Sequence, residues 1–131
     1  MAAAVTDAIT DGAGPLLVIG TDAPTLTATH LTAAFTALDD HDVALGPALD
    51  GGYYLIGLRA LHTSLFALAP ETWSTDRVLT ATRALARDGG LSAKLLPVLR
   101  DLDTPEDAAA LLRDPALPAP IAELLQHAEV P

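Results

Sequence analysis

The chain contains no cysteine, which excludes disulfide frameworks, thiolate zinc sites and cysteine nucleophiles and fits the cytoplasm. Basic residues are scarce: seven Lys and Arg stand against seventeen Asp and Glu, for a formal net charge of −10. A surface of that sign repels phosphate backbones, so nucleic acid is not an expected partner. An anionic small ligand would need a cation to screen it, which points toward a divalent metal. Long apolar runs are also missing. The run PLLVIG from Pro15 to Gly20 falls far short of the roughly 20 residues a membrane helix needs. The opening MAAAVTDAITDG lacks the basic n-region and continuous apolar core of a secretion signal. Aromatic residues make up only 4%, so the core must come chiefly from Ala and Leu, which favours helical walls.

What is present reads as one domain over residues 1–131, long enough for a real core. Ala2 to Ala13 has a weak helical pattern stopped by Gly12, Gly14 and Pro15. Leu16 to Ile19 is short and continuously apolar, the pattern of a buried central strand in an α/β sheet. Leu31, Ala34, Phe35 and Leu38 fall at helical spacing behind Thr27 or Thr29 as cap. Val43 to Leu45 and Tyr53 to Leu58 read as strands, with Gly51-Gly52 in the turn between them. His62 to Ala69 predicts a short helix, and Ser74 or Thr75 the start of a longer one that ends at Gly89-Gly90. Lys94 to Leu99 is strand-like but interrupted by Pro97, which assigns it to an edge or an irregular strand. Asp103 or Thr104 caps a helix beginning at Pro105. Residues 114–120 form a proline-rich linker to a final helix, Ile121 to Ala128. Strands alternating with helices predict a three-layer α/β/α sandwich.

Several residues could carry chemistry. Asp22 follows directly on the Leu16 to Ile19 strand, and ligands in α/β sheets gather outside the carboxyl ends of strands; Asp22 and Thr21 could equally well cap a turn before Pro24. Asp103 also follows a strand-like run, and two such acids could share one Mg²⁺, although helix capping alone accounts for Asp103. The turn Asp50-Gly51-Gly52-Tyr53 brings an acid, a close main-chain approach and an aromatic together, while a tight hairpin is the plainer explanation. Trp73, the only tryptophan, could stack on a ligand ring or fill a core gap, with Ser74 and Thr75 beside it. The four histidines show no zinc-ligand spacing. Asp101-Leu102-Asp103 superficially resembles the aspartate pair of haloacid-dehalogenase-like phosphatases, but it comes late, and Pro105 stands where that pattern wants Thr or Val. No Gly-x-Ser-x-Gly elbow is present, which argues against a serine hydrolase.

Taken in order, VIGTDAPTLT, ALGPALDGGYYLIGL, WSTDRVLTAT and DLDTPEDAAALL resemble the bacterial DUF2064 family of glycosyltransferase-A-like proteins, over about Ala13 to Leu112. The resemblance implies a nucleotide-diphospho-sugar-transferase-like (GT-A-like) fold and a transferase using a nucleotide-activated donor with Mg²⁺ or Mn²⁺. It implies Asp22 and Asp103 as catalytic and metal-binding acids. Asp50, Gly51, Gly52 and Tyr53 would then lie toward the acceptor or sugar, and Trp73, Ser74 and Thr75 would form another substrate wall. A nucleotidyltransferase acting on a small phosphorylated acceptor is the related alternative. Family members start with a strand and a basic loop of the form K-x-P-x-x-G-x-x-K-T-R, which this sequence does not contain. The chain is therefore expected to be an N-terminally truncated form with weak nucleotide binding. A catalytically incompetent association module is the rival reading, and a homodimer covering the exposed side of Leu16 to Ile19 is expected.

Overall fold

The computed structural model describes residues 15–60 and 62–128; the helix expected over Ala2 to Ala13 lies outside them. Four strands, β1 (Leu16–Ile19), β2 (Val43–Pro47), β3 (Tyr53–Leu58) and β4 (Ala93–Leu95), form one sheet in the order β1-β3-β2-β4. β3 pairs antiparallel with both β1 and β2, and β2 pairs parallel with β4. Consequently β1, β2 and β4 all point the same way, and their carboxyl ends lie at one end of the sheet.

Alternation along the strands splits the core into two halves. Val43, Leu45, Ile56 and Leu58 pack with Leu65, Phe66 and Ala86 on one face, while Ala44, Tyr54 and Leu55 pack with Ala34, Leu38 and Leu96 on the other. Helix α1 (Ala28–Asp40) covers the second face and helix α2 (Val78–Asp88) the first. This is the three-layer α/β/α arrangement. A short α3 (Pro105–Leu112) and α4 (Ala119–Ala128) pack against each other.

Local chemistry explains where the elements differ from sequence expectation. Among the described residues β1 is an edge and not a central strand, and Ile19 is 44% exposed. In α1 the buried residues are Ala34 and Leu38, whereas Phe35 turns outward. The segment after β3 makes two 3₁₀ turns, Thr63–Phe66 and Pro70–Thr72, in place of one α-helix. β4 stops at Leu95 because Pro97 cannot donate to a ladder, and only an isolated bridge between Ala48 and Leu99 continues the pairing. Thr104 caps α3 by accepting from the Asp107 N–H at 3.1 Å. α4 begins at Ala119, inside the proline-rich stretch, since Pro120 in a first helical turn forfeits no internal hydrogen bond.

Two glycines set the geometry around β3. Between Gly46 and Pro47 the register slips, so that Gly46 faces Leu55 and Pro47 faces Tyr53, leaving Tyr54 as the extra residue of a bulge. The bulge puts Tyr54 on the same face as Leu55 and so returns Tyr53 to the face of Ile56, and the Tyr54 ring lies across Gly46, where any Cβ would collide with it. The Tyr54 hydroxyl then donates to the Pro97 carbonyl at 2.8 Å. Gly51 has φ +96, and its missing side chain is replaced by the backbone of Asp76. Its carbonyl accepts from the Leu79 N–H at 2.9 Å, capping α2 from across the fold. α2 thus starts at Val78 and not at Ser74 or Thr75.

Gly51→Ala must shift backbone against backbone and should cost roughly 3 kcal/mol in denaturant unfolding. Gly90→Ala shares a positive φ of +71 but meets nothing within 4 Å, and should cost only about 1 kcal/mol. Equal losses for the two would contradict the Gly51–Asp76 contact as the anchor of this turn.

Candidate functional site

Each parallel strand delivers an acid to the same end of the sheet. Asp22 lies just beyond β1, Asp50 beyond β2, and Asp101 and Asp103 in the segment that follows β4 and the Leu99 bridge. The Leu102 N–H donates to the Asp22 carbonyl at 2.8 Å, joining the two outer loops. One carboxylate oxygen each from Asp22, Asp101 and Asp103 lies within 4.8 Å of the others. Sequence reasoning singled out two of this trio and passed over Asp101. The signal was present: in an extended stretch residues i and i+2 face the same way, so Asp101 and Asp103 belong together.

A cleft of about 550 Å³ opens over these acids. Asp22, Asp50, Gly52, Tyr53, Trp73, Ser74, Thr75 and Asp103 all line it, as do Asp76 and Asp101. Gly51 does not line the cleft; it is spent on the contact with Asp76. Among the described residues the cleft's lining thus includes five carboxylates and no Lys, Arg or His. Ser74 sits at φ +66, a left-handed conformation costly for a residue with a Cβ. Thr75 Oγ1 anchors the same turn by donating to the Thr72 carbonyl at 2.6 Å. On the acid side, Asp50 Oδ1 accepts from the Gly52 N–H at 3.0 Å.

The electrostatics follow from that crowding. Burial, then repulsion from Asp22 and Asp50, a hydrogen bond with Asp50 and repulsion from Asp103 push the Asp101 carboxyl up to about 7. Its Oδ1 is buried and finds no donor. Asp103 shifts in the same direction through desolvation first and then the fields of Asp22, Asp50 and Asp107. Asp107 moves the other way, held down chiefly by Arg100, whose Nη1 donates to Asp107 Oδ1 at 2.7 Å. Burial raises the Tyr53 phenol to about 12, so it stays protonated at neutral pH. The donor set is hard oxygen only, and one buried carboxylate oxygen is left without a partner. Both features fit Mg²⁺ or Mn²⁺ and do not fit a thiophilic metal.

The profile of a bacterial family described as "Uncharacterized protein conserved in bacteria (DUF2064)" matches residues 1–75. The chain belongs to this DUF2064 family. The match takes in Asp22, Asp50 and the Trp73 to Thr75 turn but ends before Asp101 and Asp103, short of the Leu112 limit expected from the motifs. The DUF2064 chain is also similar to the crystal structure of a proposed nucleotide-diphospho-sugar transferase from Desulfovibrio desulfuricans G20, at 30% identity and a TM-score of 0.86. That alignment covers 97% of this chain and 57% of the other, so the fold is of the nucleotide-diphospho-sugar transferase type and the chain spans little more than half of that relative. No curated protein matches. Among the described residues no helix is long and apolar enough to cross a membrane.

The raised carboxyls make stability fall with pH. Between its ordinary value of 3.8 and about 7, Asp101 holds in the folded state a proton that the unfolded chain has released, so folding is progressively penalised as pH rises through that window. Asp42 and Asp107, whose carboxyls are lowered, add stability above 3.8 and lose it only as pH falls below that value, outside the window. In metal-free buffer Tm should drop from pH 4.5 to 7.5. Asp101→Asn should flatten the drop and raise Tm at pH 7.5 by about 3 °C, worth roughly 1 kcal/mol once solvent screening of a partly exposed group is allowed for. A wild-type Tm that climbs through this range, unaffected by Asp101→Asn, would contradict the shift.

Proposed function

We propose that this chain carries the metal-binding side of a transferase centre for a nucleotide-activated donor, with Asp22, Asp101 and Asp103 as the ligands of Mg²⁺ or Mn²⁺. One observation supports this above the others: three carboxylate oxygens within 4.8 Å in a cleft lined by no basic side chain. A diphosphate is repelled by the five carboxylates that line such a cleft, and the nearby Arg100 guanidinium is already engaged by Asp107. A bound divalent cation would offset part of the carboxylates' charge and act as Lewis acid toward the leaving phosphate.

The chain's own residues would then bind and orient. Tyr53 and Trp73 offer apolar ring surface, while Ser74 and Thr75 place hydroxyls along the same wall. Asp50 also lines the cleft, held by the Gly52 N–H and by its hydrogen bond with Asp101. The absence of a basic side chain from the described cleft lining supports a second reading as well. In it the chain holds a metal but binds a donor too weakly to turn it over alone, and acts in association with a further polypeptide or a second copy.

The test is turnover of a panel of nucleotide sugars with Mn²⁺. Asp22→Ala should reduce it at least about 100-fold, while Asp88→Ala, on the exposed end of α2, should leave it unchanged. Mn²⁺ binding without turnover, lost in Asp22→Ala, would select the second reading. Turnover indifferent to both metal and Asp22 would overturn the proposal.

A further inference from the structure

The segment 100–104 bears two of the three acids, yet it belongs to no strand or helix. Irregular backbone carrying mutually repelling carboxylates needs an external brace, and Asp107 supplies one. Its Oδ1 accepts from Arg100 Nη1 at 2.7 Å, on the near side of the acids. Its Oδ2 accepts from the N–H groups of both Asp103 and Thr104 at 3.1 Å, on the far side. A capping box at the start of α3 requires only the reciprocal bond with Thr104. The bonds to Asp103 and Arg100 reach back beyond the cap and span the residues that carry Asp101 and Asp103.

Arg100 is relevant for a second reason. It lines a notch of about 220 Å³ together with Asp50, Asp101, Asp103 and Asp107, so its guanidinium sits beside the acids while paired to Asp107. Without that pair, Arg100 would be left in a notch it shares with the carboxylates of Asp50, Asp101 and Asp103 and would be drawn toward them.

The geometry points to Asp107 as the positioning residue of the acid cluster: it clasps segment 100–104 at both ends, keeping Asp101 and Asp103 turned toward Asp22 and Arg100 paired to Asp107 rather than to them. The inference concerns metal affinity only insofar as the trio binds a metal, as proposed above, so its test begins with a readout that needs none. The Leu102 N–H bond to the Asp22 carbonyl reports whether the segment is seated, and its hydrogen exchange can be followed by NMR on the whole chain.

Asp107→Ala should speed Leu102 amide exchange at least about 10-fold relative to core amides. Thr104→Ala, which removes the cap and leaves the Arg100 and Asp103 bonds, should leave Leu102 near its wild-type rate. Asp107→Asn keeps one carbonyl for the backbone donors and loses the charged pair, so it should fall between the two and guards against a misfolded alanine variant. In parallel, Mn²⁺ affinity by electron paramagnetic resonance should weaken about 10-fold or more in Asp107→Ala and partly recover in Asp107→Asn. Equal Leu102 exchange in the Asp107 and Thr104 variants would overturn the inference. Failure of the wild-type chain to bind Mn²⁺ would overturn the metal reading, while the exchange comparison would still decide the role of Asp107.

Discussion

Like charges brought within a few ångströms repel unless a proton or a cation intervenes, and Asp22, Asp101 and Asp103 are so placed. Much of the surrounding architecture can be understood as the means of holding that repulsion in place. The Leu102 bond to the Asp22 carbonyl ties the two acid-bearing loops together. Arg100 is paired with Asp107 rather than with the trio, so it does not relieve the repulsion. One member, Asp101, responds by holding its proton to near neutral pH.

The sheet explains why the acids meet. Three parallel strands end on the same side, and loops beyond the carboxyl ends of such strands are where α/β proteins assemble sites. β3 runs against them and contributes differently. Its bulge at Tyr54 sends Tyr53 to the α2 side, where it lines the cleft, and sends Tyr54 to the α1 side, where its ring fills the gap over Gly46. The Gly51 turn then reaches the amino end of α2 through the Asp76 and Leu79 contacts, next to the Trp73 to Thr75 segment that lines the same cleft as the acids.

Much of this was legible in the sequence because it rests on local chemistry. The two strand patterns, the Gly51-Gly52 turn, the Thr104 cap and the edge character imposed by Pro97 each follow from residue types at short range. What was not legible depends on contacts between distant segments. The start of α2 is set by the Gly51 carbonyl and not by Ser74 or Thr75. The exposure of Phe35 depends on how α1 is rotated against the sheet, which spacing alone leaves open by about one residue. Asp101 was passed over because the pair Asp101-Leu102-Asp103 was compared with one phosphatase pattern, when its meaning depends on Asp22 lying across the loop. Family membership and the likeness to a proposed nucleotide-diphospho-sugar transferase agree with the fold, while the proposed metal rests on the chemistry of the cleft.

The central claim is that Asp22, Asp101 and Asp103 together hold one divalent cation. Crystals of the chain soaked with Mn²⁺ and measured for anomalous scattering address it directly. The account predicts a single strong peak at about 2.1 Å from a carboxylate oxygen of each of the three residues, as hard-cation coordination requires. A structure in which the trio has no peak at saturating Mn²⁺, or in which the ion sits on other carboxylates such as Asp39 and Asp40 instead, would contradict it.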